Sequence, residues 1–285
     1  SIIETDGLSL TDSELSGQFD LTTGGAIVLS NLNAGTNAVN ISAGGEISDG
    51  NDDTAGNNLT AGVLTITGDQ AVTGIETAVS TLDLATAATS ITETDGLSLT
   101  DSELSGQFDL TTGGAIVLSN LNAGTNAVNI SAGGEISDGN DDTAGNNLTA
   151  GVLTITGDQA VTGIETAVST LDLATAATSI TETDGLSLTD SELSGQLDLT
   201  TGGATIIGTL NASGQSVNLS LAGELTDGNA DVASADATVN VIAESLAITG
   251  DQAVTGIETS VSTLDLATAA TSIIETDGLS LTDSE

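Results

Sequence analysis

The sequence predicts an all-β fold, a parallel β-solenoid in which short coils of chain are stacked on one another. Residues 1–89 recur as residues 90–178 with a single change, Ile3 to Thr92, and a fixed long period indicates stacked copies of one structural unit. Short runs of Ile, Val and Leu alternate with polar residues between clusters of Gly and Asn, which is typical of strands and turns. A shorter period also lies inside the long one.

This shorter period is visible where the phrase FDLTTGGAI, beginning at Phe19, aligns with VNISAGGEI, beginning at Val39. The offset predicts coils of about 20 to 23 residues, about four in each long repeat. In a solenoid each coil is hydrogen-bonded to the next along the axis, so that like residues stack in ladders. The long repeats are residues 1–89, 90–178 and 179–271, followed by the start of a fourth at residues 272–285, and we expect one continuous rod.

The short apolar runs of the first repeat predict its strands, and glycine-containing pairs predict the turns between them. The predicted strands are Ile2 with Ile3, Leu8–Leu10, Phe19–Leu21, Ile27–Leu29, Val39–Ile41, Leu64–Ile66 and Val79–Leu84. The predicted turns are Asp6-Gly7, Gly24-Gly25, Gly44-Gly45 and Asp49-Gly50. Phe19 and Phe108 become Leu197 in the third repeat, an apolar exchange that indicates an inward position.

Four extra residues in the third repeat predict the place of a corner loop. The separation from Asn51 to Ile66 is 15 positions, whereas the matching separation from Asn229 to Ile248 is 19. Because insertions in solenoids fall in corners, we expect a loop or bulged corner between Asn51 and Leu59.

The alternative architecture is a string of separate β-sandwich domains of about 90 residues each. Sandwiches need longer strands and larger core residues, and no linker separates the repeats, so the solenoid is favoured. The phrase SIIETDG at Ser1 returns at Ser272, whereas the second and third repeats begin SITETDG. This match indicates a further period of 271 residues, as expected for a segment of a longer fibre.

Composition excludes several classes of partner. The chain has 41 Asp and Glu residues, no Lys, Arg or His, and a formal net charge of −41. Nucleic-acid binding is excluded on this ground, because phosphates are contacted mainly by Lys and Arg. No run of about 18 apolar residues is present, so no membrane-spanning helix is predicted.

Enzyme activity is disfavoured, since the chain has no His, Cys, Lys, Arg or Tyr and therefore no nucleophilic triad. A carboxylate pair can hydrolyse a glycoside, and the candidate pairs are Asp12 with Glu14 and Asp52 with Asp53. A solvated acidic face explains these pairs better, because a single active site is rarely built in many copies. We predict no catalytic residues and no required cofactor.

Calcium binding is a better candidate for the acidic residues than catalysis. Asp49, Asn51, Asp52 and Asp53 form a cluster of oxygen ligands on a glycine-containing turn, and Ca²⁺ prefers such ligands. Neither the EF-hand pattern nor the calcium-binding nonapeptide is present. The predicted metal ligands are therefore Asp49, Asp52 and Asp53, with solvated carboxylates as the alternative.

The phrases LDLATAATSITETDGLSL, LTTGGAI and NISAGGEISDGN resemble the filamentous-haemagglutinin-type repeats of very large secreted bacterial adhesins. The resemblance extends over essentially all of the chain. It implies a right-handed parallel β-helix and an extracellular or cell-surface role as a stalk or fibre. No functional residues are carried over from the family.

These inferences predict a structural segment of an extracellular fibre, adhesin stalk or sheath that associates with itself into fibres or bundles. Twelve carboxylates in each of the first two repeats repel neighbouring copies, so we expect Ca²⁺ or Mg²⁺ to promote lateral association. The alternative is a repeated surface module that binds Ca²⁺ or a cell-surface glycan.

Overall fold

The computed structural model describes residues 1–51, 56–140, 145–229 and 238–282. Within these ranges the chain is all β, has no helix, and forms a parallel β-solenoid of about 14 turns that are roughly 19 residues apart. The predicted fold class is confirmed, with turns slightly shorter than the predicted coils. The chain divides into two compact units, Ser1–Gly151 and Val152–Glu285.

The first unit consists of short parallel strands, and β10 is the longest of them. Its strands are β1 (Ile2–Glu4), β2 (Leu8–Leu10), β3 (Ser13–Glu14), β4 (Phe19–Thr23), β5 (Ile27–Leu29), β6 (Leu32–Asn33), β7 (Ala38–Ala43), β8 (Ile47–Asp49), β9 (Leu59–Thr67), β10 (Val72–Thr86), β11 (Thr89–Glu93), β12 (Leu97–Leu99), β13 (Ser102–Leu104), β14 (Phe108–Thr112), β15 (Ile116–Leu118), β16 (Leu121–Asn122), β17 (Ala127–Ala132) and β18 (Ile136–Asp138).

The second unit is built in the same way. The remaining strands are β19 (Leu148–Thr156), which contains the boundary between the units, β20 (Val161–Thr175), β21 (Thr178–Glu182), β22 (Leu186–Leu188), β23 (Ser191–Leu193), β24 (Leu197–Thr201), β25 (Thr205–Ile207), β26 (Leu210–Leu221), β27 (Leu225–Asp227), β28 (Val241–Thr249), β29 (Val254–Ala267), β30 (Thr271–Glu275) and β31 (Ser280–Leu281).

The core consists of ladders of aliphatic side chains. In β4, Phe19, Leu21 and Thr23 point inward while the residues between them face outward, as the period of two in a strand requires. Leu21 lies opposite Ile41 of β7 in the next coil, and both side chains are buried. All seven predicted strands lie within strands of the structure, and Phe19, Phe108 and Leu197 are buried as predicted.

Glycine is required at the turns where successive coils touch through their backbones. A Cβ atom on Gly44 would lie 2.7 Å from the carbonyl oxygen of Gly24 in the preceding coil. Such an approach is closer than real Cβ atoms allow, so any side chain would force the coils apart. The Gly-Gly pairs therefore set the close stacking of the turns, as well as the change of chain direction.

The strands of the first unit form two ladders. Ladder A contains β1, β4, β7, the second half of β9 and the second half of β10, and it continues as β12 with β13 and then β15 with β16. Ladder B contains β2 with β3, β5 with β6, β8 with the first half of β9, the first half of β10, β11, β14 and β17. Each coil contributes once to each ladder, so the ladders lie on the two sides of the core.

The two ladders show that the long repeat is not a whole number of turns. β1, β4 and β7 lie in ladder A, whereas their copies in the second repeat, β11, β14 and β17, lie in ladder B. Ladder B leads from β2 to β11 in four steps, through β5, β8 and β10. The strand that it reaches, β11, is the copy of β1, and β1 lies in ladder A. The 89-residue repeat is thus four and a half turns, which corrects the predicted four.

The second unit repeats this half-turn shift. β21 is followed in its ladder by β24, β26, β28, the second half of β29 and β31. β30, the copy of β21 in the fourth repeat, pairs instead with the first half of β29, which continues β22, β25 and β27.

Most of the loop or bulged corner predicted between Asn51 and Leu59 lies outside the described residues, and the bounds of the flanking strands limit its position. β8 ends at Asp49 and β9 begins at Leu59, whereas in the third repeat β27 ends at Asp227 and β28 begins at Val241. The separation increases from ten positions to fourteen, so the four extra residues lie between these two strands in the chain, while β9 and β28 both have nine residues.

Candidate functional site

The predicted metal ligand Asp49 lies at the end of β8, where its carboxylate holds the corner together. Its Oδ1 accepts hydrogen bonds from the backbone N–H of Asn51 and from Nδ2 of Asn58, both at 2.7 Å. Asp52 and Asp53 lie outside the described residues, so the predicted calcium site stays a prediction. Among the described residues no group of three or more acidic side chains is placed to hold a metal ion.

The centre of this corner is Asn58, a residue that the sequence analysis missed. Its side chain is fully buried, and Nδ2 donates to the carbonyl oxygen of Leu29 at 2.8 Å as well as to Asp49. Its Oδ1 accepts the backbone N–H of Glu76 at 2.6 Å. Leu29, Asp49 and Glu76 belong to three successive coils, so one amide group joins all three.

The same arrangement recurs in the other repeats. Asn147 donates to the carbonyl of Leu118 and to Asp138 at 2.8 and 2.7 Å. In the third repeat Asn240 donates to Asp227 at 2.8 Å and accepts the N–H of Glu258 at 2.8 Å, despite the insertion that precedes it. A sequence signal was present, because an Asn directly before the strand is kept in all three repeats while its neighbours change.

A second recurring feature is a buried glutamate at the start of the ETDG phrase. Glu93 is 1% exposed, and its carboxylate accepts hydrogen bonds from Oγ1 of Thr77 at 2.7 Å and from the N–H groups of Val79 and Asp95 at 3.0 and 3.1 Å. Burial raises the pKa of Glu93 above its ordinary value, and these hydrogen bonds oppose the rise. Glu182 is equally buried, and burial likewise raises its pKa.

A third feature is a strip of hydrogen-bonded polar side chains on the outer side of β4 and β7. Asn40 donates to Oδ1 of Asp20 at 2.7 Å across adjacent coils, and Gln18 donates to the same atom at 2.8 Å. The hydrogen bond from Asn40, followed by that from Gln18, lowers the pKa of Asp20, so its carboxylate stays ionised. The second repeat has the same contacts among Gln107, Asp109 and Asn129.

An acidic groove opens on the surface of each unit. In the first unit a groove of about 330 Å³ is lined by Asp69, Glu103, Thr86 and Asn122 among others. In the second unit the corresponding residues Asp158, Glu192, Thr175 and Asn211 line a groove of the same volume. Carboxylates, amides and hydroxyls at one opening can attract cations and hydrogen-bond polar ligands.

The carboxylate pair Asp12 with Glu14 does not form a regular strand face. Asp12 has a φ of 46° and lies between β2 and β3, where the strand is interrupted. Asp101 and Asp190 adopt the same left-handed conformation in the later repeats. Asp therefore has a conformational role at this position, because short polar side chains tolerate that region.

These features define a β-solenoid repeat protein whose polar side chains make the same contacts in successive repeats. No protein-family model, curated protein or solved structure matches the sequence. In the part of the chain that the structure describes, no helix is long and apolar enough to cross a membrane.

Proposed function

We propose that this chain is a structural segment of a long extracellular fibre or adhesin stalk of the filamentous-haemagglutinin type, without catalytic activity. The observation that carries the proposal is the repetition of the Asn58 corner in Asn147 and Asn240. A buried amide that joins successive coils stabilises the stack, and it does so at the same place in each of the first three repeats. The chain thus uses its polar residues to hold coils together rather than to build one unique pocket.

The net charge of the chain makes its self-association depend on cations. With a net charge of −41 and no Lys, Arg or His, copies of the chain repel one another at low salt. Divalent cations reduce this repulsion, and fibres or bundles form once they are present. The resemblance of the ETDG and TTGGAI phrases to secreted adhesin repeats supports an extracellular or cell-surface location.

A repeat-number series tests the stalk proposal. Chains with one and two additional copies of residues 90–178, inserted after residue 178, keep the half-turn register of the solenoid. Each added repeat of four and a half turns lengthens the particle by about 22 Å, at about 4.8 Å per turn. Small-angle scattering and electron microscopy measure this increment. Globular particles whose length does not increase with repeat number would contradict the proposal.

The second candidate function is a repeated binding module for Ca²⁺ or a cell-surface glycan, which the acidic groove at Asp69 and Glu103 favours. Calorimetric titration with Ca²⁺, and separately with a panel of surface glycans, tests it. Saturable binding in proportion to the number of repeats, with one site fewer in the double variant Asp69→Asn with Glu103→Gln, would favour the module. Binding that this variant leaves unchanged would place the ligand elsewhere.

A further inference from the structure

Seven Asp-Gly pairs lie at turns of the solenoid, and they fall into two groups. Four belong to the phrase ETDG and three to the phrase DGN. The ETDG turns contain Asp6-Gly7, Asp95-Gly96, Asp184-Gly185 and Asp277-Gly278, and the DGN turns contain Asp49-Gly50, Asp138-Gly139 and Asp227-Gly228. Asp-Gly pairs are prone to isoaspartate formation, because glycine has no Cβ to hinder the approach of its nitrogen to the aspartate carboxyl.

In the DGN turns both reacting groups are engaged in hydrogen bonds. The N–H of Gly50 donates to the carbonyl oxygen of Leu29 in the preceding coil at 2.7 Å. The carboxylate of Asp49 accepts hydrogen bonds from the N–H of Asn51 and from Nδ2 of Asn58. The nitrogen of Gly50 therefore cannot turn towards the carboxyl of Asp49 unless these bonds break.

The other two DGN turns have the same bonds. Gly139 donates to Leu118 at 2.7 Å, and Gly228 donates to Ile207 at 2.8 Å. Their aspartates are held by the Asn two positions later and by the buried Asn of the corner, as in the first repeat. Protection is thus a property of this turn in all three repeats, including the one that contains the four extra residues.

In the ETDG turns the glycine nitrogen is not engaged in this way. In the part of the chain that the structure describes, the N–H of Gly96 donates to no protein atom, and the same holds for Gly7 and Gly185. The carbonyl oxygen of Asp95, in the same peptide group, accepts the N–H of Gly114 at 3.0 Å. That bond polarises the peptide group and makes the proton of the Gly96 N–H easier to remove.

The last ETDG turn brings the two groups together. The N–H of Gly278 donates to Oδ1 of Asp277, so the nitrogen lies beside the carboxyl group with which it would react. We propose that the ETDG turns are sites of spontaneous isoaspartate formation, whereas the DGN turns are protected from it. The inference is independent of the function proposed above, since it concerns chemistry within the chain.

The reaction needs no enzyme and no reactant except water. The nitrogen of Gly96 attacks Cγ of Asp95, the N–Cγ bond forms, and the bond from Cγ to one carboxyl oxygen breaks. That oxygen leaves as water, with the proton of the carboxyl group and the proton of the amide. Water then opens the succinimide ring, and opening at the former main-chain carbonyl leaves isoaspartate, in which the backbone runs through Cβ and Cγ and is one atom longer.

The added backbone atom falls where successive coils touch. A Cβ on Gly96 would lie 2.6 Å from the carbonyl oxygen of Ala115 in the next coil, so the turn has no room for a further atom. The N–H of Asp95 also donates to the buried carboxylate of Glu93 at 3.1 Å. We therefore expect isoaspartate to open the ETDG turn and to weaken the hydrogen bonds around Glu93.

Peptide mapping of the aged full chain tests the proposal. The chain is incubated folded in neutral buffer made with ¹⁸O-water, and it is then cut after glutamate, because it has no Lys or Arg for trypsin. Mass spectrometry with electron-transfer fragmentation measures isoaspartate, and uptake of ¹⁸O marks passage through the succinimide. We expect the fraction of isoaspartate per turn to be at least about tenfold higher in the ETDG peptides than in the DGN peptides, because attack in the DGN turns first breaks several hydrogen bonds. Equal fractions would overturn the proposal.

The same chain unfolded in urea is the matched control. Urea removes the hydrogen bonds of the DGN turns and leaves both local sequences unchanged, so the two groups of peptides should form isoaspartate at similar rates. A difference that persisted in urea would assign the effect to local sequence, and it would overturn protection by the fold.

Hydrogen exchange tests the effect on the turn. Val79 and Val168 donate their N–H groups to the buried carboxylates of Glu93 and Glu182. Peptides that contain these two residues should lose protection as the wild type ages, and should keep it in the double variant Asp95→Ser with Asp184→Ser, which has no carboxyl to cyclise. Unchanged protection in a chain with confirmed isoaspartate would overturn the opening of the turn but leave the modification itself established.

Discussion

Replacing Asn58 by Ala is the sharpest test of how the coils are held together. The variant removes the hydrogen bonds from Nδ2 to the carbonyl of Leu29 and to Asp49, and the bond from the Glu76 N–H to Oδ1. Leu29 keeps a bond from the N–H of Gly50, but the N–H of Glu76 loses its partner on Asn58 and Asp49 loses one of its two donors.

The loss at the N–H of Glu76 and the partial loss at Asp49, which keeps its bond from Asn51, each cost about 1 to 3 kcal/mol, because a polar group in the buried corner loses a hydrogen bond. We therefore expect the free energy of unfolding to fall by about 2 to 6 kcal/mol. Urea unfolding followed by circular dichroism measures this change. Hydrogen exchange at the N–H of Glu76 reports whether the loss is local, which matters because repeat proteins do not always unfold in a single step.

The neighbouring variant Asn57→Ala is the matched control. Asn57 accepts one hydrogen bond, from Oγ1 of Thr94 at 2.7 Å, on the exposed side of the corner. Its replacement is expected to cost no more than about 0.5 kcal/mol. If Asn58→Ala and Asn57→Ala destabilised the protein equally, the buried amide would not join the coils in the way described.

Three further predictions concern the buried glutamates and the turns. Because burial raises the pKa of Glu93 and Glu182 in the folded state, folding takes up protons. The urea midpoint should therefore rise as the pH falls from neutral towards the ordinary glutamate value of 4.5, and it should decrease again as the pH is raised. An unchanged midpoint would contradict this. The variant Glu93→Gln removes the buried charge, and the same urea titrations should show a weaker pH dependence than in the wild type. Gly44→Ala should destabilise by about 1 to 3 kcal/mol because its Cβ would meet the carbonyl of Gly24, whereas Gly17→Ala, with open space around it, should be nearly neutral in thermal unfolding; equal effects would argue against backbone contact between coils.

The sequence was a good guide to strands and corners, because these depend on local alternation and on turn residues. The runs at Leu8–Leu10 and Phe19–Leu21 are strands, Phe19 points inward as expected, and the insertion lies between β27 and β28. The candidate site was predicted less well. The sequence pattern indicated acidic residues as metal ligands, whereas Asp49 accepts hydrogen bonds from Asn51 and Asn58.

The direction of individual polar side chains required the structure. Glu93 is buried while Thr92 beside it is exposed, although composition alone gives no reason to bury a carboxylate. The reason lies in the neighbouring coil, which supplies the hydroxyl of Thr77 and the N–H of Val79. A buried charge is tolerated only where such donors surround it, and their positions depend on how the coils stack.

By itself the sequence predicted that this protein is a β-solenoid, since the long repeat, the 20-residue offset and the alternation of apolar residues together favour stacked coils over separate sandwich domains. Only the tertiary structure decided that a repeat is four and a half turns. Coil length varies with each corner: Leu8 to Ile27 spans 19 residues, whereas Ile47 to Val72 spans 25. The number of turns in a repeat depends on these individual coil lengths. That number determines on which side of the core each copy of a surface lies.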